Sequence, residues 1–324
     1  MNETQRYFAT EIALDHADGL MPRREALRRL MLLGLTVASA SSLLVACEGE
    51  SSQGTGTPTG GAGGSGGAGG AGGSGGAMDA ATDVSTPPPG VTGLPDAALP
   101  TESITFPGID GRTLMGAWAA ASAPRGAVLV MHENRGLTEH IRNVAGRFAR
   151  AGYSALALDL LSEEGGTDSF ADAGEVTGAL GQIAPTRFVE DMRSALDELE
   201  RRAPGKKLGA VGFCFGGGVV WRLIGSKDTR LAAAAPFYGP LPMEIDFAGS
   251  RAAVLGVYAE TDTNVNGRRD AAKMLLETAA LTHELVTFPG TQHAFFNDTG
   301  MRYHAEGAAA AWAKVLEWYG VHLA

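Results

Sequence analysis

The stretch Gly209-Ala210-Val211-Gly212-Phe213-Cys214-Phe215-Gly216-Gly217-Gly218 decides how this chain is read. An apolar run ends at Cys214, and a glycine-flanked turn leads into a second apolar run with helical spacing. A sharp strand-to-helix turn pushes its central residue into a strained conformation, and only small neighbours leave room for it. The thiol would then sit at a helix N-terminus, where unpaired N–H groups and the helix dipole favour an anion. A buried structural cysteine in a glycine-rich packing site would explain the same letters, so the stretch needs partners before it means catalysis.

The partners lie downstream. Apolar runs at 127–132, 154–158, 207–213, 231–238, 254–258 and 283–288 predict strands, the first ones suited to burial on both faces. Stretches with helical spacing at 138–151, 187–202, 215–224, 270–281 and 306–319 predict the intervening helices. Ser103–Phe106 and Arg112–Ala119 read as a hairpin turned at Gly108-Ile109-Asp110-Gly111. Strands alternating with helices predict a mainly parallel central sheet covered by helices on both faces. Ligands in such sheets sit beyond the strand ends, which points to Glu133, Asp159, Cys214, Asp262 and His293.

A thiol nucleophile needs a base, and the base an orienting acid. Asp262 follows the strand at 254–258 and His293 follows the strand at 283–288. Nucleophile, acid, histidine is the order of an α/β-hydrolase, the fold class expected here. Glu133 lies in His132-Glu133-Asn134-Arg135-Gly136, at the end of another strand, where its carboxylate could hydrogen-bond the thiol. The same loop supplies an oxyanion donor in that fold, so the backbone N–H groups of Phe215 and Asn134 are the expected pair.

Together, 132–137, 152–161, 212–217, 260–262 and 293–298 resemble the dienelactone hydrolase family over about residues 100–322. That resemblance implies opening of a lactone or small ester through a thioester acyl-enzyme on Cys214, with Asp262, His293 and Glu133 as the other catalytic residues. It also implies that the glutamate holds the resting thiol neutral. The family's lactone-specific members use arginines to hold a substrate carboxylate, one of them just after the histidine. Here 294–298 contains none, and Arg135, Arg187 and Arg302 are the substitutes on offer.

Before the domain comes a different text. Residues 1–21 show no pattern, and Met21 could serve as the start. From Pro22, Arg23-Arg24-Glu25-Ala26-Leu27-Arg28-Arg29 precedes an uncharged apolar run, 30–46, which is short for a membrane span. The paired arginines resemble a twin-arginine export signal, and Leu44-Val45-Ala46-Cys47 resembles a bacterial lipobox. The expected organisation is a signal at 1–47 with Cys47 lipidated, a disordered glycine-rich linker at 48–100, and the hydrolase domain at 101–324. About 50 linker residues give a mean reach of about 40 Å. An ordinary N-terminal anchor helix is the alternative.

The remaining expectations are broad. Formal net charge is −10, which disfavours nucleic-acid partners. Two cysteines, Cys47 and Cys214, exclude a disulfide scaffold, and so few thiols disfavour a Cys/His zinc site. No metal or organic cofactor is called for. The expected partners are a small ester or lactone substrate and a lipid anchor, for a monomer in the cell envelope. A surface binding lipoprotein on a catalytically retired hydrolase fold is the rival reading.

Overall fold

The structure is a computed structural model that describes residues 1–51, Leu94 and 97–324. Most of the expected linker therefore lies outside the described residues. Eight strands form one sheet in the order β1-β2-β4-β3-β5-β6-β7-β8. They are β1 (Glu102–Pro107), β2 (Thr113–Ala119), β3 (Gly126–Met131), β4 (Tyr153–Asp159), β5 (Leu208–Phe213), β6 (Leu231–Phe237), β7 (Ala253–Ala259) and β8 (His283–Phe288). The pairs β1/β2 and β2/β4 are antiparallel, and every pair from β4/β3 through β7/β8 is parallel. This is the α/β arrangement expected from the apolar runs.

Burial follows from residue type. Strands β3, β4, β5 and β7 are buried along their whole length, as strands covered on both faces must be. The covering helices in the domain are α4 (Glu139–Arg150), α5 (Ala173–Gln182), α6 (Pro185–Arg202), α7 (Phe215–Gly225), the short α8 (Thr263–Asn266), α9 (Arg269–Thr278) and α10 (Ala305–His322). On α4, Ile141, Val144, Ala145 and Phe148 turn inward at helical spacing. Element ends differ from the sequence expectation by only a few residues. The domain's packing reaches back before 101: Leu94 is buried, and the Leu99 N–H donates to the Gly146 carbonyl at 3.1 Å.

The N-terminal segment departs from expectation. Residues 3–17, without pattern in the sequence, form α1 (Glu3–Ala17), followed by α2 (Arg23–Leu32) and α3 (Val37–Ser51). An Asn2/Gln5 capping box starts α1. Phe8, Ala9, Ile12 and Ala13 are buried on one face of it. Burying Phe8 and Ile12 stabilises the docked helix by about 1.5–3 kcal/mol each. The apolar run 30–46 is not one helix. It breaks between α2 and α3, where Gly34 has φ +91° and Thr36 Oγ1 accepts from the Ser39 N–H. Among the described residues no helix is long and apolar enough to cross a membrane. Cys47 lies half-buried in α3, and α3 runs on into the first residues expected of the linker.

Candidate active site

Cys214 stands between β5 and α7 with φ +56° and ψ −122°, a strained conformation for a residue with a side chain. Its glycines have a steric reason. A Cβ on Gly212 would come within 2.2 Å of the Gly216 carbonyl oxygen, and one on Gly216 within 2.5 Å of the His132 carbonyl oxygen. The turn is sharp because those two backbones touch. Cys214 is 4% exposed, and Phe215 opens α7, so its N–H has no partner one helical turn earlier.

Asp262 and His293 meet at the ends of β7 and β8. His293 Nδ1–H donates to Asp262 Oδ2 at 2.6 Å. Asp262 Oδ1 accepts from the Val265 N–H at 3.1 Å, capping α8, so the carboxylate is fixed from both sides. Tyr238 lies edge-on to the imidazole, with centroids 5.2 Å apart. Polar atoms of Cys214, His293 and one further residue, Glu11, all lie within 4.8 Å of one another.

Glu11 comes from α1, as does Tyr7. The Tyr7 hydroxyl is 3.2 Å from Cys214 Sγ and 3.5 Å from His293 Nε2. Glu11 Oε2 is 3.3 Å from the same Nε2, and Glu11 Oε1 accepts from Asn264 Nδ2 at 2.9 Å. Neither residue was among the sequence candidates. The Asn2/Gln5 capping box and the Phe8/Ile12 spacing could have revealed the helix, but nothing local to Tyr7 or Glu11 marks them as site residues.

Glu133 is buried beside the thiol but bonds elsewhere. Its Oε2 accepts from Asn297 Nδ2 at 2.7 Å, and its Oε1 has no partner. The thiol is hydrogen-bonded by Tyr7 and by His293, and not by Glu133, to which the sequence pointed. His132 holds this loop: Nδ1–H donates to the Glu133 carbonyl at 2.6 Å and Nε2 accepts from the Leu160 N–H at 3.2 Å. Burial pushes that imidazole below its ordinary value. Asn134 is anchored in turn, its carbonyl accepting from Thr177 Oγ1 at 2.9 Å.

Charge in the site is set by burial and by carboxylates. Burial pushes the Cys214 thiol up; His293 pulls it down, and Glu11 and Glu133 add to the rise. Burial opposes a charge on His293, but Glu11, Asp262 and the sulfur outweigh it and raise the imidazole well above its ordinary value. Burial and the two glutamates thus favour the protonated thiol, burial also pushes the Glu11 carboxyl up, and Glu11 and Asp262 favour a proton on the imidazole between them.

The rival acids and histidines have other work. Glu260 accepts from the Gly290 N–H, His283 bonds the Leu281 carbonyl, and His304 caps α10. Asp298 binds His140 at 2.8 Å and also Arg147. Burial works against its charge, yet the hydrogen bonds from those two partners hold it at about 2. Among the arginines, Arg187 is paired with Glu163 and Glu164, and Arg302 with Asp15 on α1 at 2.7 Å and with Asp18, just past its C-terminus, at 2.6 Å. Arg135 is exposed at the rim of a cavity of about 280 Å³ that reaches Cys214 and His293. Glu11, Asp15 and Met21 wall its other side. Among the described residues, Glu11, Cys214 and His293 are the set whose donor atoms lie close enough to share a metal ion, and they are the site itself.

A strained thiol after β5, an acid after β7 and a histidine after β8, on this sheet order, define an α/β-hydrolase. Residues 113–323 match the dienelactone hydrolase family, to which the chain belongs, and with it to the ester- and lactone-cleaving hydrolases. A provisionally named carboxymethylenebutenolidase of Yersinia pestis is 30% identical over 217 residues, 62% of this chain and 80% of that one. One from Escherichia coli K12 is 28% identical over 254 residues, 74% of this chain and 91% of its own length. A provisionally named dienelactone hydrolase structure from Klebsiella pneumoniae superposes with TM-score 0.61 at 26% identity, over 69% of this chain and 99% of that one. The dienelactone hydrolase structure from Anabaena variabilis (TM-score 0.55, 20% identity, 70% of this chain and 100% of that one) shares the fold.

Proposed function

We propose that the chain hydrolyses a lactone or small carboxylic ester through a covalent acyl-enzyme on Cys214. The observation that carries this is the 2.6 Å Asp262–His293 pair beside a strained thiol at the start of α7. In the productive state His293 Nε2 takes the thiol proton, and Asp262 holds the imidazole in the right tautomer. Sulfur attacks the carbonyl carbon, and the backbone N–H groups of Phe215 and Asn134 stabilise the oxyanion. The ester C–O bond breaks as the imidazolium returns its proton to the leaving alkoxide. In a lactone that alkoxide stays tethered to the acyl group. Water, deprotonated by His293, then attacks the thioester carbonyl; the C–S bond breaks, the acid is freed and the imidazolium returns its proton to the Cys214 sulfur.

Glu133 serves to keep the resting thiol neutral, through its negative charge. Arg135, at the cavity rim, is the cation best placed to meet a substrate carboxylate. The relatives named for carboxymethylenebutenolidase activity support an unsaturated lactone as one candidate substrate. The arginine-twin and the lipobox-like text support an exported, lipid-anchored protein of the cell envelope, with Cys47 carrying the lipid. Labelling with a radioactive fatty acid, lost in Cys47→Ser, tests that part. For the chemistry, a panel of activated esters and lactones is hydrolysed by the wild type and by Cys214→Ala. A loss of at least 100-fold in kcat/KM is expected, and unchanged hydrolysis would overturn the mechanism.

A further inference from the structure

We propose that α1 is an intramolecular lid that keeps Cys214 silent while the N-terminal segment remains seated on the domain. The inference rests on reading Cys214 as the nucleophile. Tyr7 and Glu11 are one helical turn apart, so they share a face of α1, and that face meets the site. Their positions conflict with catalysis. Nε2 of His293 must offer a lone pair to the thiol proton. With Glu11 Oε2 at 3.3 Å, a carboxyl group competes with the thiol for that nitrogen. The Tyr7 hydroxyl, 3.2 Å from Sγ, stands against the sulfur that a carbonyl carbon would have to reach.

The helix is held by contacts on every side of the mouth. Glu3 pairs with Arg222 and accepts from the Met243 N–H at 2.6 Å. Asn2 Nδ2 donates to the Gly181 carbonyl at 2.9 Å. Phe8 packs on Phe215, the residue after the nucleophile, with centroids 5.1 Å apart. Asp15 and Asp18 take up Arg302, a cation that lines the cavity. The remaining cavity, about 280 Å³, falls just below the range of roughly 300–1,000 Å³ for small-molecule sites.

The lid is an addition to a complete catalytic unit. The Klebsiella structure is covered over 99% of its own length by 69% of this chain, and the family match begins at residue 113. The family match includes Cys214, Asp262 and His293 and does not include α1. Under the export reading, cleavage ahead of Cys47 would remove α1, α2 and most of α3 together. The segment would then be an inhibitor discarded on arrival.

The test uses the full chain carrying Cys47→Ser, so that Cys214 is the one thiol. Alkylation by iodoacetamide at pH 7.5 is timed for this protein, for Tyr7→Ala/Glu11→Ala, and for Asp15→Lys/Asp18→Lys. The second pair leaves the inserted side chains intact and repels the helix from Arg302 on the surface. Alkylation at least tenfold faster in both variants is expected, with ester hydrolysis rising in parallel. Unchanged or slower alkylation in both variants overturns the lid, as does hydrolysis that falls when Tyr7 and Glu11 are removed. Faster alkylation with no turnover of any ester would sink the hydrolytic reading and leave the lid standing. Turnover that depends on Cys214 but ignores both variants would do the reverse.

Discussion

The two walls of the active site differ in how they are held. The inner wall is built by backbone: Cys214, Asp262 and His293 hang from the ends of β5, β7 and β8, and neighbouring strands hold those ends at fixed spacing. The outer wall is built by side chains of one helix that touches the domain through ion pairs, Phe8 and the Tyr7 and Glu11 contacts. Moving the inner wall means unfolding the sheet. Moving the outer wall means breaking those ion pairs, withdrawing Tyr7 and Glu11 from their buried partners and uncovering Phe8, Ala9, Ile12 and Ala13, while the sheet stays intact. Chemistry sits on the rigid wall and restraint on the removable one.

The contrast can be broken from the rigid side first. Asp262→Asn should leave the fold intact and lower kcat by about 10³–10⁴, because the imidazole loses its tautomer; steady-state kinetics on an activated ester reads this, and a loss under tenfold would detach Asp262 from the mechanism. Gly212→Ala should destabilise by about 3 kcal/mol, because its Cβ meets backbone at 2.2 Å; urea unfolding decides, and an unchanged midpoint would refute the close approach. Asp298→Asn leaves Arg147 and His140 without their carboxylate and should cost about 2 kcal/mol at neutral pH. With Asp298 held at about 2 against an ordinary value of 3.8, its contribution is fully present above 3.8 and is lost as pH falls through about 2. Wild type and variant should therefore converge in stability at strongly acid pH.

On the removable side the expected effects are smaller and concern titration. The charged or titratable groups facing the thiol are His293, Glu11, Glu133, Tyr7, Asp262 and Tyr238. Glu11→Gln removes one negative charge, so the thiolate becomes easier to form and the pH midpoint of Cys214 alkylation should move down. A midpoint that rises would mean that Glu11 acts through lost structure. Glu3→Gln at the far end of α1 should change stability by about 1 kcal/mol or less and leave that midpoint alone.

The same contrast explains what could be read from the sequence. The sheet was legible because β3, β4, β5 and β7 are continuous apolar runs. The candidate site was legible because Cys214, Asp262 and His293 each follow such a run, and the ends of β5, β7 and β8 bring them together. Tyr7 and Glu11 were not legible. What makes them site residues is a contact across more than 200 positions, and no local spacing encodes it. Glu133 was located correctly on its loop, but its bond to Asn297 depends on how the 293–298 loop folds back. Arg302 stood in the sequence as a possible substrate ligand; its partners Asp15 and Asp18 belong to the segment that had shown no pattern.

Order of synthesis follows from one separation. Tyr7 and Cys214 lie 207 positions apart. At about 5–20 residues per second, the hydroxyl leaves the ribosome roughly 10–40 s ahead of the sulfur. The guard is thus made before the thing it guards. When the elbow closes, its cover already exists on the same chain at high effective concentration, and the thiol need never spend time bare in the compartment where it is made.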